Sequence, residues 1–497
     1  MSRLSSAAVL IVLLAVALLE SDLLSWLRVS LLDALLLPAP PTLSRFDREC
    51  SRLAGPVGAE DGVLLDGDPP VVLMGELDAL SHEFTTADVH GASASTIPPG
   101  RIWALEMTAQ PRLTPLEVPL PAGATTMHLH GLGLHGDVLF AVNHAFGSGG
   151  ERIERWRVSR PTAKDGADAG TAGPPVALSA LPPVTAALFR DGPSEPGEQA
   201  TLTSKLNAAI NDIAPVSPTE WYMTQFVDEP ASHEGAAAGL LPDRVPPPPD
   251  GPLAAAARAL SRYLGAEIAA KLLLPRLRRS RLWHCYCDGG LEPQRDGPAT
   301  CRETACTAVG RRGVVWNGVA YRPVRPRSPA RGGLGGRLYV SDIFRRVVVE
   351  YDVLGSGASA RLEERRSLLA PHLIDNLHLE PAGGALWAGA VGYSSAHFWR
   401  PLAALLANAS AAHAAARAAS RPSPRPHTLL RPEEGGPPTP PMPSGALRFD
   451  LATDEAKVVG MQGRHLAGVS FSIPVGDRLV MGSPFDDGVL VCPRVEP

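Results

Sequence analysis

Short apolar runs separated by turn residues recur through most of the chain, and they constrain its fold more than any other feature. Between residues 100 and 491 these runs are rich in Val, Tyr, Trp and Phe, and Gly, Pro and Asp stand between them. Several come in couples, for example 337–340 (RLYV) with 347–351 (VVVEY). This spacing predicts many short strands in antiparallel sheets. The paired rhythm is typical of propeller blades, although β-sandwiches space their strands similarly.

Composition excludes two broad classes of protein. Hydrophobic residues make up 45% of the 497 residues and charged residues 20%, as in ordinary globular proteins, so wholesale disorder is not expected. The formal net charge is −5, and the one basic cluster, residues 276–281, lies on an apolar segment. A nucleic-acid partner is therefore not predicted.

Residues 1–37 have the pattern of a targeting segment. Arg3 precedes an uninterrupted apolar run over residues 7–19, the layout of a signal peptide or a retained signal anchor. The only A-x-A pattern lies inside that run, so cleavage and retention both stay open. Residues 23–37 fit an amphipathic helix on a membrane or lipid-particle surface, and equally a packed core helix. We expect entry into the secretory pathway, with the protein extracellular or membrane-associated and facing the lumen or the exterior.

The six cysteines fit disulfide pairing in an oxidising compartment. Cys50 stands before the first predicted strand and Cys492 near the end of the sequence, so a bridge between them would tie the two ends of a closed ring together. The other four cluster in one predicted loop: Cys285, Cys287, Cys301 and Cys306. They fit either two disulfides, whose pairing stays open, or a zinc site.

Three stretches break the strand rhythm and predict helical or loop insertions in a single domain that spans residues 45–497. They lie near 160–200, 229–310 and 399–445, and Pro, Gly and Ala are frequent in them. The last contains Asn408 in an Asn-Ala-Ser sequence, which predicts a glycosylation site.

Side chains whose oxygen atoms can act as metal ligands recur in pairs at the edges of predicted strands. These pairs are Glu60-Asp61, Asn211-Asp212, Asn317-Gly318 and Asp375-Asn376, with His130-Gly131-Leu132 as a histidine-bearing counterpart. Each pair alone is an ordinary turn signal. Oxygen ligands delivered from several loops, however, suit a hard cation such as calcium.

The contexts of these pairs, taken in order, resemble the paraoxonase/arylesterase family. The motifs that carry the resemblance are 58–61 (GAED), 128–132 (HLHGL), 139–144 (LFAVNH), 206–213 (LNAAINDI), 316–319 (WNGV) and 373–377 (LIDNL). They are collinear with the family's motifs, and the similarity extends from residue 50 to residue 492. The resemblance implies an all-β fold, a six-bladed β-propeller, and a disulfide between Cys50 and Cys492.

The resemblance also implies two calcium ions. The catalytic ion would be held by Glu60, Asn211, Asn317, Asp375 and Asn376. The structural ion would be held by Asp61, Asp212 and the backbone carbonyl of Leu132. Two carboxylates in the first set would neutralise a dication, and the three amides would add no charge.

The activity implied by the resemblance is that of a carboxylic ester hydrolase acting on lactones and aryl esters. His130 would be the general base that activates water, and His144 would orient it or relay the proton. The sequence departs from the family at 225–228 and 388–391, where groups of the family's pocket are missing. These departures keep open an alternative, a non-catalytic calcium-stabilised propeller that binds a partner or a lipid surface.

Overall fold

The computed structural model describes fourteen stretches of the chain, almost entirely in strands. They are residues 46–77, 100–119, 127–144, 152–160, 174–185, 189–191, 210–225, 280–294, 297–313, 315–324, 334–343, 345–392, 443–463 and 465–494. The helical elements among them are α1 (Phe46–Glu49) and a 3-10 turn (Gly357–Ser359). No helix in these stretches is long and apolar enough to cross a membrane. The predicted N-terminal segment 1–37, Asn408 and most of the predicted insertions lie outside the described residues.

The strands form six sheets that follow one another along the chain, and we call them blades I to VI. Blade I contains β2 (Ala59–Leu65), β3 (Val71–Glu76), β4 (Ile102–Glu106) and β5 (Arg112–Pro115). Blade II contains β6 (Leu129–His135), β7 (Val138–Asn143), β8 (Arg152–Ser159) and β9 (Ala177–Thr185). Blade III contains β11 (Ile210–Ser217), β12 (Glu220–Gln225), β13 (Ser280–Gln294), β14 (Gly297–Gly313) and, parallel to β14, β10 (Phe189–Asp191).

The second half of the chain repeats this organisation. Blade IV contains β15 (Trp316–Pro323), β16 (Leu334–Asp342), β17 (Val347–Leu354) and β18 (Arg361–Leu369). Blade V contains β19 (Leu373–Leu379), β20 (Ala385–Gly392), β21 (Ser444–Asp450) and β22 (Ala456–Gln462). Blade VI contains β23 (Phe471–Val475), β24 (Arg478–Gly482), β25 (Asp487–Pro493) and β1 (Ser51–Val57), the first strand of the chain.

The first strand of each blade lines a central channel. These inner strands contact one another in order around the ring, and β23 of blade VI contacts β2 of blade I. The ring is therefore closed, and the predicted six-bladed β-propeller is confirmed. A separate hydrophobic cluster fills each of the six junctions between neighbouring blades. Fully buried tryptophans anchor several of them: Trp156, Trp221, Trp316 and Trp387. Burial of their large apolar surface contributes strongly to the stability of these junctions.

Blade VI closes the ring because it combines both ends of the folded domain. Strand β1 pairs antiparallel with β25, so the first strand completes a blade that the last three strands begin. The predicted disulfide between Cys50 and Cys492 is confirmed, and it joins residues 442 positions apart in sequence.

The cysteine cluster differs from the predicted loop, because its residues lie on the long β13–β14 hairpin of blade III. The register places Cys285 directly opposite Cys306, and the two form a disulfide. Cys287 is also disulfide-bonded. The disulfide alternative therefore holds over the zinc alternative for these three cysteines, and such bonds fit an oxidising compartment.

We predict that the ring-closing disulfide stabilises the fold more than the local one does. In the loop-entropy model, a 442-residue closure exceeds a 21-residue closure by roughly 2–3 kcal/mol. Thermal unfolding of Cys50→Ser/Cys492→Ser should therefore begin at a lower temperature than that of the control Cys285→Ser/Cys306→Ser. Equal destabilisation by the two double variants would contradict this expectation.

Candidate functional site

Five of the six inner strands carry a β-bulge at the same point, close to the start of the strand. Each register shift encloses one of the pairs singled out in the sequence: Glu60-Asp61, His130-Gly131, Asn211-Asp212, Asn317-Gly318 and Asp375-Asn376. A bulge interrupts the hydrogen-bond ladder and turns side chains away from the regular alternation. The repeated bulge therefore brings residues from five blades to one level of the channel.

Glycine occupies two of these positions because the next blade lies against its backbone. A Cβ atom on Gly131 would lie 2.6 Å from the carbonyl oxygen of Asn211, and one on Gly318 would lie 2.6 Å from the Cα atom of Asn376. Neither position leaves room for a side chain. The Asn317-Gly318 pair, which resembles a hairpin turn in the sequence, is instead part of an inner strand.

The five residues predicted to bind the catalytic ion lie together and share an uncommon property. Each is buried and has a side-chain oxygen with no hydrogen-bond partner among the residues that the structure describes: Glu60 Oε2, Asn211 Oδ1, Asn317 Oδ1, Asp375 Oδ1 and Asn376 Oδ1. We call these five residues the oxygen ring. Buried polar atoms are normally paired, because leaving one unpaired costs about 1–3 kcal/mol. A repeated lack of partners at one level of a channel indicates a binding site.

Contacts within the oxygen ring join residues that are far apart in the sequence. Asn376 donates from Nδ2 to Glu60 Oε1 at 2.9 Å and to the Glu60 carbonyl at 2.9 Å. The set contains two carboxylates and three amides, and no group of three or more His, Cys, Asp or Glu side chains is placed for a metal in the described parts of the chain. An all-oxygen set with two negative charges fits calcium better than zinc or another transition metal.

The electrostatics of Asp375 also fit a cation. Burial raises the pKa of its carboxyl well above the usual range, and the nearby charge of Glu60 raises it further, while His130 opposes the shift. Two ionised carboxylates in this position repel each other in a poorly solvated environment. A bound dication would remove that repulsion.

Asp61 and Asp212, predicted as ligands of a structural ion, hold neighbouring inner strands together. Asp61 Oδ2 accepts the Leu132 N–H at 2.7 Å, and Asp212 Oδ2 accepts the Val319 N–H at 2.7 Å. Each acid also accepts the N–H of the residue that follows it. Burial raises the pKa of both acids, and the charge of Asp61 raises that of Asp212 further. Carboxylate oxygens have a second lone pair, so this acid pair still fits a cation.

His378, which the sequence analysis did not single out, lies beside this acid pair. Its Nε2 atom is 3.2 Å from Asp61 Oδ1, and its proximity lowers the pKa of Asp61 against the larger effect of burial. The residue lies on inner strand β19 just beyond the oxygen-ring residues of that strand. Its position on an inner strand, two residues after Asn376, could have marked it as a candidate site residue in the sequence. Its contact with Asp61 of blade I, however, depends on ring closure.

The two predicted histidines form a buried pair next to the oxygen ring. His130 Nδ1 and His144 Nε2 lie 2.6 Å apart. The other ring nitrogen of His130 faces the oxygen ring, with Asn211 Nδ2 at 3.2 Å and Glu60 Oε1 at 3.4 Å. One imidazole nitrogen therefore faces the proposed ion-binding residues, and the other contacts a second histidine that can exchange a proton with it.

One cavity of the channel does not coincide with the oxygen ring. It is a cavity of about 250 Å³ lined by later residues of all six inner strands, including Tyr321 and His378. No oxygen-ring residue lines it, so its shape does not define a substrate pocket around these oxygens.

The similarity of this chain to known proteins is low. No protein-family model matches the chain. No curated protein matches it either. Among solved structures, the periplasmic gluconolactonase of Pseudomonas aeruginosa has a TM-score of 0.35 at 12% identity, covering 90% of this chain and 93% of that one. A putative 6-phosphogluconolactonase of Bacteroides fragilis has a TM-score of 0.34 at 11% identity, covering 88% and 89%. At this level the comparison carries nothing about activity, and the paraoxonase/arylesterase assignment stays a prediction.

We predict that the stability gained on adding calcium increases with pH. In ion-free protein, the raised pKa values of Asp61, Asp212 and Asp375 favour folding at acidic pH, and this contribution is lost as pH rises through those values. A cation needs the same carboxylates ionised, so its effect grows over that pH range. Thermal unfolding with and without calcium across this range measures the difference. A calcium effect that does not change with pH would contradict the expectation, and Asp375→Asn should flatten it.

Proposed function

We propose that this protein is a calcium-dependent hydrolase of lactones and aryl esters. The observation that supports it most directly is the position of the His130–His144 pair beside five buried oxygens that lack hydrogen-bond partners in the described structure. A cation site next to a candidate base is one arrangement that can hydrolyse an ester carbonyl. The chain's disulfides are consistent with action in the secretory pathway, outside the cell or facing its lumen.

The oxygen ring would hold the catalytic calcium ion. When bound, calcium supplies a Lewis acid that polarises the substrate carbonyl and stabilises the negative charge that develops on its oxygen. Glu60 and Asp375 provide the charge that balances the dication, and the three amides complete the ligand set without overcharging it. The asparagines therefore matter as neutral ligands, because more carboxylates would weaken the positive potential that the substrate oxygen meets.

A second ion is proposed between Asp61 and Asp212, with the Leu132 carbonyl as a further ligand. These residues would hold blade I to blade II and blade III to blade IV, as their hydrogen bonds to Leu132 and Val319 already do. Neutralising two buried, mutually repelling acids would strengthen the same connection. The imidazole of His378 is the basic side chain that the protein itself places beside Asp61.

His130 is placed to act as the general base. With its proton on Nδ1 and donated to His144, the Nε2 lone pair is directed toward Asn211 and Glu60. Abstraction of a proton from water would then produce an imidazolium within 3.4 Å of the Glu60 carboxylate, which stabilises the positive charge. The close contact at Nδ1 then lets the imidazolium pass its Nδ1 proton to His144. Both ring nitrogens of His130 therefore contact a group that assists its action as a base, Glu60 at Nε2 and His144 at Nδ1.

The activity test is hydrolysis of phenyl acetate and a panel of δ-lactones by purified protein, with and without a calcium chelator. We expect turnover that the chelator abolishes, and loss of turnover in Asp375→Ala. His130→Gln should reduce the rate by roughly 10²–10⁴-fold, the range typical for removal of a general base. The control is Asp137→Asn, an exposed acid that pairs with Arg157 on the surface. Absence of turnover from folded, calcium-loaded protein would favour the non-catalytic propeller.

The number of bound ions is a separate prediction. Elemental analysis of dialysed protein should find two calcium ions per chain. Asp375→Ala should retain one, held by the acid pair, and Asp61→Asn/Asp212→Asn should retain the one held by the oxygen ring. If the unmodified protein binds one ion and the double variant still binds it, Asp61 and Asp212 hold no ion. Hydrogen bonds and His378 would then be sufficient to stabilise the acid pair.

A further inference from the structure

Two buried hydroxyl groups connect the bulges of neighbouring blades by the same pattern of hydrogen bonds. Thr224 lies on β12 of blade III and Ser341 on β16 of blade IV, and both are fully buried. Each accepts a hydrogen bond from the second residue of the bulge in its own blade. The Asp212 N–H donates to Thr224 Oγ1 at 3.1 Å, and the Gly318 N–H donates to Ser341 Oγ at 2.7 Å.

Each hydroxyl then donates to the first residue of the bulge in the next blade. Thr224 Oγ1 donates to the carbonyl oxygen of Asn317, and Ser341 Oγ donates to the carbonyl oxygen of Asp375 at 2.9 Å. Both acceptors belong to the oxygen ring. The path therefore runs from a backbone N–H through one hydroxyl to the backbone of a proposed metal ligand, and it does so twice around the channel.

A related contact occurs where the ring closes. Ser470, directly before β23, donates from Oγ to the carbonyl oxygen of Glu60 at 2.6 Å. Its own carbonyl accepts the Asn376 N–H at 2.9 Å. Three of the five oxygen-ring residues thus have their backbone carbonyl held by a hydroxyl from the preceding blade.

The bulge explains why these hydroxyls are needed. Because the ladder is interrupted at each pair, the backbone groups there lack their ordinary strand partner. Fixing the carbonyl of a residue also fixes the direction in which its side chain leaves the strand. A calcium site with several protein ligands depends on such fixed directions, and neighbours that orient ligands contribute strongly to metal affinity.

We infer that the hydroxyls of Thr224 and Ser341 are positioning groups that set the calcium affinity of the oxygen ring. This inference rests on the proposed function, because it assumes that the oxygen ring binds calcium. The two residues do not contact the ion themselves. They act through the backbone of Asn317 and Asp375, and they make the ligands of blades III, IV and V respond as one unit.

The test compares calcium affinity in Thr224→Val and Ser341→Ala with that in Ser472→Ala. Ser472 is a matched control, since it is fully buried and donates to a carbonyl of the adjacent blade, Ala388, also at 2.9 Å. Ala388 lies outside the oxygen ring. Calorimetric titration would follow the binding event that Asp375→Ala abolishes, and thermal unfolding would follow stability in ion-free protein.

We expect both hydroxyl variants to weaken that binding event at least tenfold, and Ser472→Ala to leave it within about twofold of the unmodified protein. All three should lower the ion-free unfolding temperature. Ser341→Thr and Thr224→Ser, which keep the hydroxyl, should restore affinity. If Thr224→Val does not fold, Ser341→Cys carries the same expectation, because a thiol of similar size is a weak donor.

The outcomes separate the inference from the proposed function. Unchanged affinity in Ser341→Ala, in a protein whose unmodified form binds calcium and hydrolyses lactones, would overturn the inference alone. Equal weakening by Ser472→Ala would also overturn it, because any buried cross-blade hydroxyl would then have the same effect. Failure of the unmodified protein to bind calcium would overturn the proposed function and this inference together.

Discussion

The repeated bulge at the start of the inner strands is the feature on which the rest of the site depends. A regular strand would direct Glu60 and Asp61 to opposite faces and would pair their backbone groups within the blade. The bulge instead frees those groups and lets both residues of each pair contact neighbouring inner strands. The same distortion in five blades turns six separate sheets into a ring whose inner level is connected by polar contacts.

Those polar contacts and the apolar junctions divide the work of holding the propeller together. Hydrophobic clusters fill the space between blades and supply most of the stabilisation. The inner level, by contrast, collects acids and amides whose burial is unfavourable unless a charge balances them. Burial, together with the charges of neighbouring acids, raises the pKa of Asp212 and Asp375 well above the usual range. The buried acids of the channel therefore destabilise the ion-free fold, and a bound cation can restore that stability. Such local destabilisation is common at functional sites.

Close packing around the ring limits which residues can occupy the second strand of each blade. At the position of Thr224 and Ser341, blades I, V and VI have Gly75, Gly389 and Gly482. A Cβ on Gly75 would lie 2.7 Å from Leu129, and one on Gly482 would lie 2.5 Å from the Ala59 carbonyl. Blade II has Val142 there, and in the other five blades the neighbouring inner strand meets either no side chain or a small hydroxyl. Hydroxyls appear on the side of the ring that provides Asn317 and Asp375.

The sequence by itself determined the strand class, the polar pairs and their order, because apolar periodicity and short motifs are local properties. Its resemblance to a known family added the number of blades, the Cys50–Cys492 bridge and the grouping of the oxygen ring. Only the tertiary structure showed that Cys285 pairs with Cys306, that His378 contacts Asp61, and that Thr224 and Ser341 hold the backbone of other blades. Each of these contacts joins blades or strands whose separation in sequence leaves no local trace. Asp61 and His378 become neighbours only because the ring closes, and closure is a property of all six blades together.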